Sequence, residues 1–319
     1  MLVSMLSIGV AIYQQGGTSL GWVYFSYAVG GVGVGTFESN MLSSIAPLGH
    51  DTKVWAIIGM PVGFVSISVI GFLLRSPPPV GVGLNPEWLY FAVISALLGG
   101  MAVWLLYVPV EKTSGPAPSM GAIGRVLGKA GEWLPPILPN CLALMLQMYA
   151  VSFFTAIPFY IYNNEFPDGG KISMIFGTGT TALMNHDRYF AVFNMHTFLG
   201  DTISRKVAYY FKPLPVLSYV VIIIIGAVLS LLRMPILLWP GLFLIFYANG
   251  SIYATSTKHI DETFRGETAD YHLIALSVWL FVGDIGSVTG ANTWEYFQPM
   301  LCEGKLGAHD WLYFCIKES

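Results

Sequence analysis

Residues 215–232, PVLSYVVIIIIGAVLSLL, form an apolar run that contains no charged side chain. A helix needs roughly 20 mostly apolar residues to cross about 30 Å of hydrocarbon. Apolar runs long enough to be candidate spans occur at 20–45, 54–75, 88–110, 136–160, 189–210, 215–232, 236–257 and 271–293. They lack the alternation of apolar and polar residues that is typical of barrel strands. The sequence therefore predicts an all-α, polytopic, integral membrane protein.

The composition agrees with that class. Of the 319 residues, 55% are hydrophobic and only 10% are charged, whereas ordinary soluble domains carry about 25% charged residues. So few charges cannot cover a water-exposed surface, which excludes a soluble enzyme, a nucleic-acid-binding protein and a disordered chain. The net charge of −3 indicates no nucleic-acid partner, and the expected surrounding is a lipid bilayer. The 3 cysteines include no CxxC pair and so predict neither a disulfide framework nor a zinc site.

The distribution of Lys and Arg predicts the orientation and the domain organisation. The links that follow alternate spans, beginning with the one after 20–45, hold more Lys and Arg than the other set. Cytoplasmic links carry such an excess, which places the 111–135 link in the cytoplasm and the C-terminus on the opposite side. We divide the chain into an N-terminal helical bundle (1–110), a cytoplasmic link with a short interfacial helix (111–135), a C-terminal helical bundle (136–293) and a tail (294–319).

Polar side chains within the spans are the candidates for a functional site, because burying them in a bilayer costs free energy unless they find a partner or a water-filled cavity. The candidates are Asp201, Arg205, Asn194, Asn249, Asp284, Gln147 and Glu38. They are spread over several helices, and the chain contains no HExxH motif and no P-loop motif. We therefore expect them to line a substrate pathway in a transporter that is not an enzyme and that needs no cofactor or metal.

Several of these residues also have a structural interpretation. Asp201 and Arg205 are four residues apart and can pair on one helix face, either as a helix-end ion pair or as part of the pathway. Glu38 follows a glycine-rich run and is either an acid near the end of a tightly packed helix or a functional group. An interhelical hydrogen bond explains Gln147 as well as a pathway does. For Asp284 we favour a functional role, because an unpaired acid near the membrane midplane costs free energy.

Two stretches resemble the equilibrative nucleoside transporter family. Residues 193–206, FNMHTFLGDTISRK, resemble its eighth helix, in which a Phe-Asn pair precedes an Asp-x-x-x-Arg motif. Residues 246–260, FYANGSIYATSTKHI, are similar to its tenth helix, which carries an aromatic residue before Asn-Gly. One departure is Ser204, which replaces the glycine that precedes the Arg in the family. Tyr253, Thr255, Glu262 and the region 274–290 are similar to the lysosomal battenin family to a comparable degree.

The resemblance implies a fold of the major-facilitator type, in which two helical bundles move about a central nucleoside site lined by Asp201 and Arg205. The apolar stretch at 2–13, interpreted as the end of a helix, and the eight spans correspond to helices three to eleven of an eleven-helix family, so the N-terminal bundle is expected to be incomplete. The expected function is transport of a small polar, nucleoside-like solute by alternating access. The alternative is a transporter-derived structural subunit of a larger membrane complex. An incomplete bundle would leave glycine surfaces open, at Gly30, Gly33, Gly63 and Gly71, and a partner subunit or second copy is expected against the 20–75 helices.

Overall fold

The computed structural model of the chain describes residues 2–14, 20–45, 50–75, 82–85, 87–107, 120–160, 162–163, 171–174, 183–211, 214–232, 234–302 and 312–313. Its α-helices are α1 (Leu2–Leu6), α2 (Leu20–Ile45), α3 (His50–Arg75), α4 (Glu87–Tyr107), α5 (Met120–Gly128), α6 (Ala130–Phe154), α7 (His186–Tyr210), α8 (Tyr219–Leu231), α9 (Pro235–Thr263) and α10 (His272–Cys302). A π-helical stretch (Ser7–Gln14) continues α1, and 3-10 turns lie at Ile157–Tyr160, Val216–Ser218 and Gly266–Tyr271.

Short strands accompany the helices outside the spans. They are β1 (Tyr162–Asn163), β2 (Lys171–Ser173), β3 (Leu183–Asn185) and β4 (Leu312–Tyr313). β1 pairs antiparallel with β4, and β2 pairs antiparallel with β3. These pairs are too short to alter the fold class.

The prediction of an all-α polytopic membrane protein is confirmed. Among the described residues, five helices are long and apolar enough to cross a membrane, and Val216–Leu231 is a shorter apolar helix. The five are Lys53–Leu74, Glu87–Tyr107, Ala130–Phe154, Pro235–Thr263 and His272–Gln298. The spans predicted at 20–45 and 189–210 are the helices α2 and α7, which are not among the five. The major-facilitator type of the fold stays a prediction.

Two compact units make up the chain. The first contains Met1–Pro47 and Ser66–Gly128, and the second contains Leu48–Val65 and Lys129–Ser319. The first half of α3 therefore belongs to the same unit as α6 to α10. The helix α5 lies within the link predicted at 111–135, and the predicted boundaries of the bundles remain a prediction.

Close backbone contacts hold the helices of the second unit together. α10 packs along α6, and both α7 and α8 pack along α9. At Gly286 and Gly290 of α10, an added Cβ would meet the main-chain carbonyl groups of Met145 and Tyr149 on α6. Small residues of this kind let two membrane helices approach until their backbones touch. The second unit is therefore a tightly packed frame for the polar residues within it.

The expectation of open glycine surfaces is wrong at two positions, because the chain itself covers them. An added Cβ at Gly30 would lie 2.7 Å from the Ser4 hydroxyl, and one at Gly71 would lie 3.2 Å from a methyl group of Leu89. At Gly63, an added Cβ would meet no atom of the described residues within 4 Å. A partner subunit or second copy against the 20–75 helices stays a prediction.

Candidate functional site

Asp201 and Arg205 form a buried ion pair within α7, which we call the α7 ion pair. The Arg205 Nε donates to Asp201 Oδ1 and its Nη2 donates to Oδ2, each at 3.0 Å. The two residues are only 6% and 4% exposed. Residues four apart lie on one helix face, and a guanidinium matches a carboxylate through two parallel hydrogen bonds. The pairing predicted from the spacing is confirmed, and each charge is compensated where it is buried.

Arg205 also contacts two other helices of the second unit. Its Nη1 donates to the main-chain carbonyl of Ile57 on α3 at 3.1 Å. Its guanidinium carbon lies 4.6 Å from the ring centroid of Tyr253 on α9, a cation–π contact. All three nitrogens of Arg205 therefore donate to the protein, and its planar face rests on an aromatic ring.

Asn249 on α9 completes this cluster, because its Nδ2 donates to Asp201 Oδ1 at 3.2 Å. The next residue, Gly250, lies directly against α7, where an added Cβ would meet the carbonyl of Asp201 and the hydroxyl of Ser204. Ser204 in turn donates to the Asp201 carbonyl at 2.9 Å. The Asn-Gly pair that carries the family resemblance thus brings the α9 backbone and one amide onto the α7 ion pair.

Gln147 on α6 is fully buried and reaches the same stretch of α9. Its Nε2 donates to the Ile245 carbonyl at 2.7 Å, one turn before Asn249. The interhelical hydrogen bond weighed as the alternative for Gln147 is therefore present. The side-chain oxygens of both Gln147 and Asn249 are buried and have no hydrogen-bond partner among the residues that the structure describes.

The orientation of these two amides follows from what they contact. A carbonyl and a carboxylate both require a donor, so each amide must direct its NH2 group toward its protein partner. The oxygen is the atom left over in each case. In these two amides, the unsatisfied atom is therefore a hydrogen-bond acceptor.

Within the described residues, neither Asn194 nor Asp284 makes a hydrogen bond to the side chains of this cluster. Asn194 is half-buried on α7, two turns before Asp201, and its main-chain carbonyl accepts a hydrogen bond from the Thr197 hydroxyl at 2.9 Å. Asp284 is exposed on α10 and, within the described part of the chain, has no hydrogen-bond or ion-pair partner. Glu38 is half-buried on α2 in the first unit.

A second buried charged cluster was not predicted from the sequence. Lys53 on α3 is 1% exposed, and its Nζ lies 2.5 Å from Asp261 Oδ2 and 2.6 Å from Oδ1 on α9. We call this the α3–α9 ion pair. His272 Nε2 lies 2.8 Å from Asp261 Oδ1, so the carboxylate has two partners. Lys53 and Ile57 are one turn apart on α3, so two polar contacts connect the first half of this helix with α7 and α9.

The sequence signal for this cluster is weak. Lys53 follows a proline-containing link and looks like an ordinary cytoplasmic charge, and Asp261 is 208 residues away. The only local sign is Asp261 itself, which lies within the charged end of an otherwise apolar helix. Such an acid needs a buried cation, but the sequence does not say which one.

The chain matches no family model, and neither a curated protein nor a solved structure matches it. The residue motifs that resemble nucleoside transporters lie in residues 193–206 and 246–260.

Proposed function

We propose that the protein transports a neutral, hydroxyl-bearing, nucleoside-like solute across a bilayer by alternating access, and that the solute binds at Asp201, Asn249 and Gln147. The observation that carries this proposal is the pair of buried acceptor oxygens on Gln147 and Asn249. The resemblance of 193–206 to a nucleoside-transporter helix supports the same solute class.

The charge of the cluster favours an uncharged solute. Arg205 compensates Asp201 through two hydrogen bonds, so the α7 ion pair carries no net charge. A phosphorylated or cationic solute would introduce a buried charge without a counter-charge in this cluster, which is strongly unfavourable. A neutral solute avoids this cost.

The hydrogen-bonding capacity of the cluster favours a solute that donates. A buried polar atom without a partner costs about 1–3 kcal/mol. The oxygens of Gln147 and Asn249 would each gain a partner from a hydroxyl or N–H group of the solute. A ribose ring and a nucleobase both supply such donors, which an apolar solute lacks.

The test uses the full chain in liposomes and measures uptake of radiolabelled uridine. We expect saturable uptake that uridine monophosphate does not inhibit. Asp201→Asn removes the counter-charge of Arg205 within the proposed site and should lower uptake about tenfold or more. Asp270→Asn is the matched control, because Asp270 is exposed in the 3-10 turn between α9 and α10. Absence of uridine uptake, or equal uptake by both variants, would contradict the proposal.

A structural subunit remains the second candidate, and one observation favours it. Each nitrogen of Arg205 already donates to a protein acceptor, as in a residue that only holds helices together. A subunit of a larger complex should purify from its native membrane with other chains and give no uridine uptake in liposomes. Native mass measurement of the purified protein, combined with the uptake assay, separates the two candidates.

A further inference from the structure

Pro61 lies inside α3, and its position determines which main-chain carbonyl of that helix lacks its usual partner. In an α-helix, the carbonyl of one residue accepts from the N–H four residues later. Proline has no N–H, so it cannot supply the donor for the residue four positions before it. In α3 that residue is Ile57.

The carbonyl that Pro61 leaves without this bond is the one that Arg205 contacts. The Arg205 Nη1 donates to the Ile57 carbonyl at 3.1 Å, and Ile57 and Pro61 are both buried. The two hydrogen bonds to Asp201 use Nε and Nη2, so they do not depend on this contact. Arg205 can therefore exchange the partner of Nη1 while it stays paired with Asp201.

We propose that the Ile57 carbonyl, kept available by Pro61, is a reversible internal ligand of Arg205 that an acceptor group of the solute displaces. This inference rests on the proposed function for the displacement, but the contact itself does not depend on it. A ribose or base oxygen offers Arg205 the same kind of neutral acceptor as a main-chain carbonyl. The exchange therefore replaces one neutral oxygen acceptor of Nη1 by another. Pro61 is a positioning residue, because it acts on Arg205 through Ile57 and not on the solute.

The contact is tested by a double-mutant cycle on the thermal unfolding midpoint of the full chain in detergent. Pro61→Ala restores an N–H that competes with Arg205 for the Ile57 carbonyl, and Arg205→Lys keeps the charge but loses the guanidinium fork. Both changes weaken the same contact. The unfolding midpoint of the double variant should therefore lie roughly 2–4 °C above the value that the sum of the two single shifts predicts.

Pro240→Ala is the matched control. Pro240 also lies inside a helix, and its replacement also restores an N–H, but Pro240 is exposed. Its effect should add to that of Arg205→Lys. Additive effects in both cycles would overturn the assignment of Ile57 as a ligand of Arg205. As a further variant, alanine at position 61 can be joined through a main-chain ester in place of the amide. This variant has no N–H at position 61, so its unfolding cycle with Arg205→Lys should match that of proline.

The displacement is tested by uridine binding to the same variants. Pro61→Ala weakens the internal competitor and should bind uridine roughly two- to tenfold more tightly, whereas Pro240→Ala should leave the Kd unchanged. Uridine binding with equal Kd in the native protein and Pro61→Ala would overturn the displacement. If the native protein binds no uridine, the proposed function is wrong. A non-additive Pro61–Arg205 cycle would still support Ile57 as a ligand of Arg205 in that case.

Discussion

The α7 ion pair and the α3–α9 ion pair are both buried, but they connect different parts of the molecule. Asp201 and Arg205 belong to one helix and lie one turn apart. Lys53 and Asp261 belong to different helices and are separated by 208 residues. Folding of α7 alone can bring the first pair together, whereas the second forms only when α3 packs against α9.

The two pairs also differ in how many alternative partners each charge has. Arg205 contacts Ile57 and Tyr253 in addition to Asp201, and Asp201 contacts Asn249. Within the described residues, Lys53 has Asp261 as its partner. Arg205 can thus change the partner of its Nη1 while its charge stays paired with Asp201, which suits a binding site. Lys53 has no second acceptor within the described residues, which suits a residue that holds α3 in place.

The largest expected effect breaks the α3–α9 ion pair. Lys53→Met leaves Asp261 buried without its counter-charge, which should lower the free energy of unfolding by about 3–5 kcal/mol. The measurement is thermal or denaturant-induced unfolding of the full chain in detergent. Lys53→Met combined with Asp261→Leu removes both charges and should recover most of the loss, since apolar replacements of a buried pair are often neutral. If the double variant is no better than Lys53→Met, then Lys53 contributes mainly through packing and the contrast between the two pairs fails.

An intermediate effect is expected at Gly250, where α9 touches the α7 ion pair. Gly250→Ala places a methyl group against the Asp201 carbonyl and the Ser204 hydroxyl, so the two helices must separate. Overpacking of this kind costs about 1–3 kcal/mol. Gly63→Ala is the matched control, because an added Cβ there meets nothing within 4 Å and alanine favours helix by up to about 1 kcal/mol. Equal stability of the two variants would show that α7 and α9 are less tightly packed than the structure describes.

The sequence predicts the fold class and the α7 ion pair because both depend on local patterns. A long apolar run predicts a membrane helix by its length, and spacing of four residues predicts a shared helix face. The pairing of Lys53 with Asp261 depends on which helices pack together, and residue spacing carries no information about that. The contact between Arg205 and the Ile57 carbonyl has the same origin, although Pro61 marks in the sequence which carbonyl is available.

Asp201 and Asp284 show why burial was harder to predict than helix formation. Both are acids within long helices, and spacing predicts the pairing of Asp201 with Arg205 but does not show whether either acid faces a neighbouring helix. Asp201 is buried against α9 and paired, whereas Asp284 is exposed on α10. Gly283 and Gly286 on that helix pack against Leu144 and Met145 of α6, so the small residues, and not the acid, face the neighbouring helix.

The smallest expected effect concerns His272, the second partner of Asp261. His272→Ala removes the contact at 2.8 Å to Oδ1, but Lys53 still lies close to both carboxylate oxygens. One hydrogen bond is lost, but Asp261 keeps Lys53 as its counter-charge. The free energy of unfolding should therefore fall by about 0.5–1.5 kcal/mol. His259→Ala is the control, because His259 is exposed and contacts the Pro136 carbonyl at 3.2 Å. A loss for His272→Ala as large as that for Lys53→Met would mean that Lys53, Asp261 and His272 act as one network. The packing of α3 against α9 would then depend on His272 as much as on Lys53.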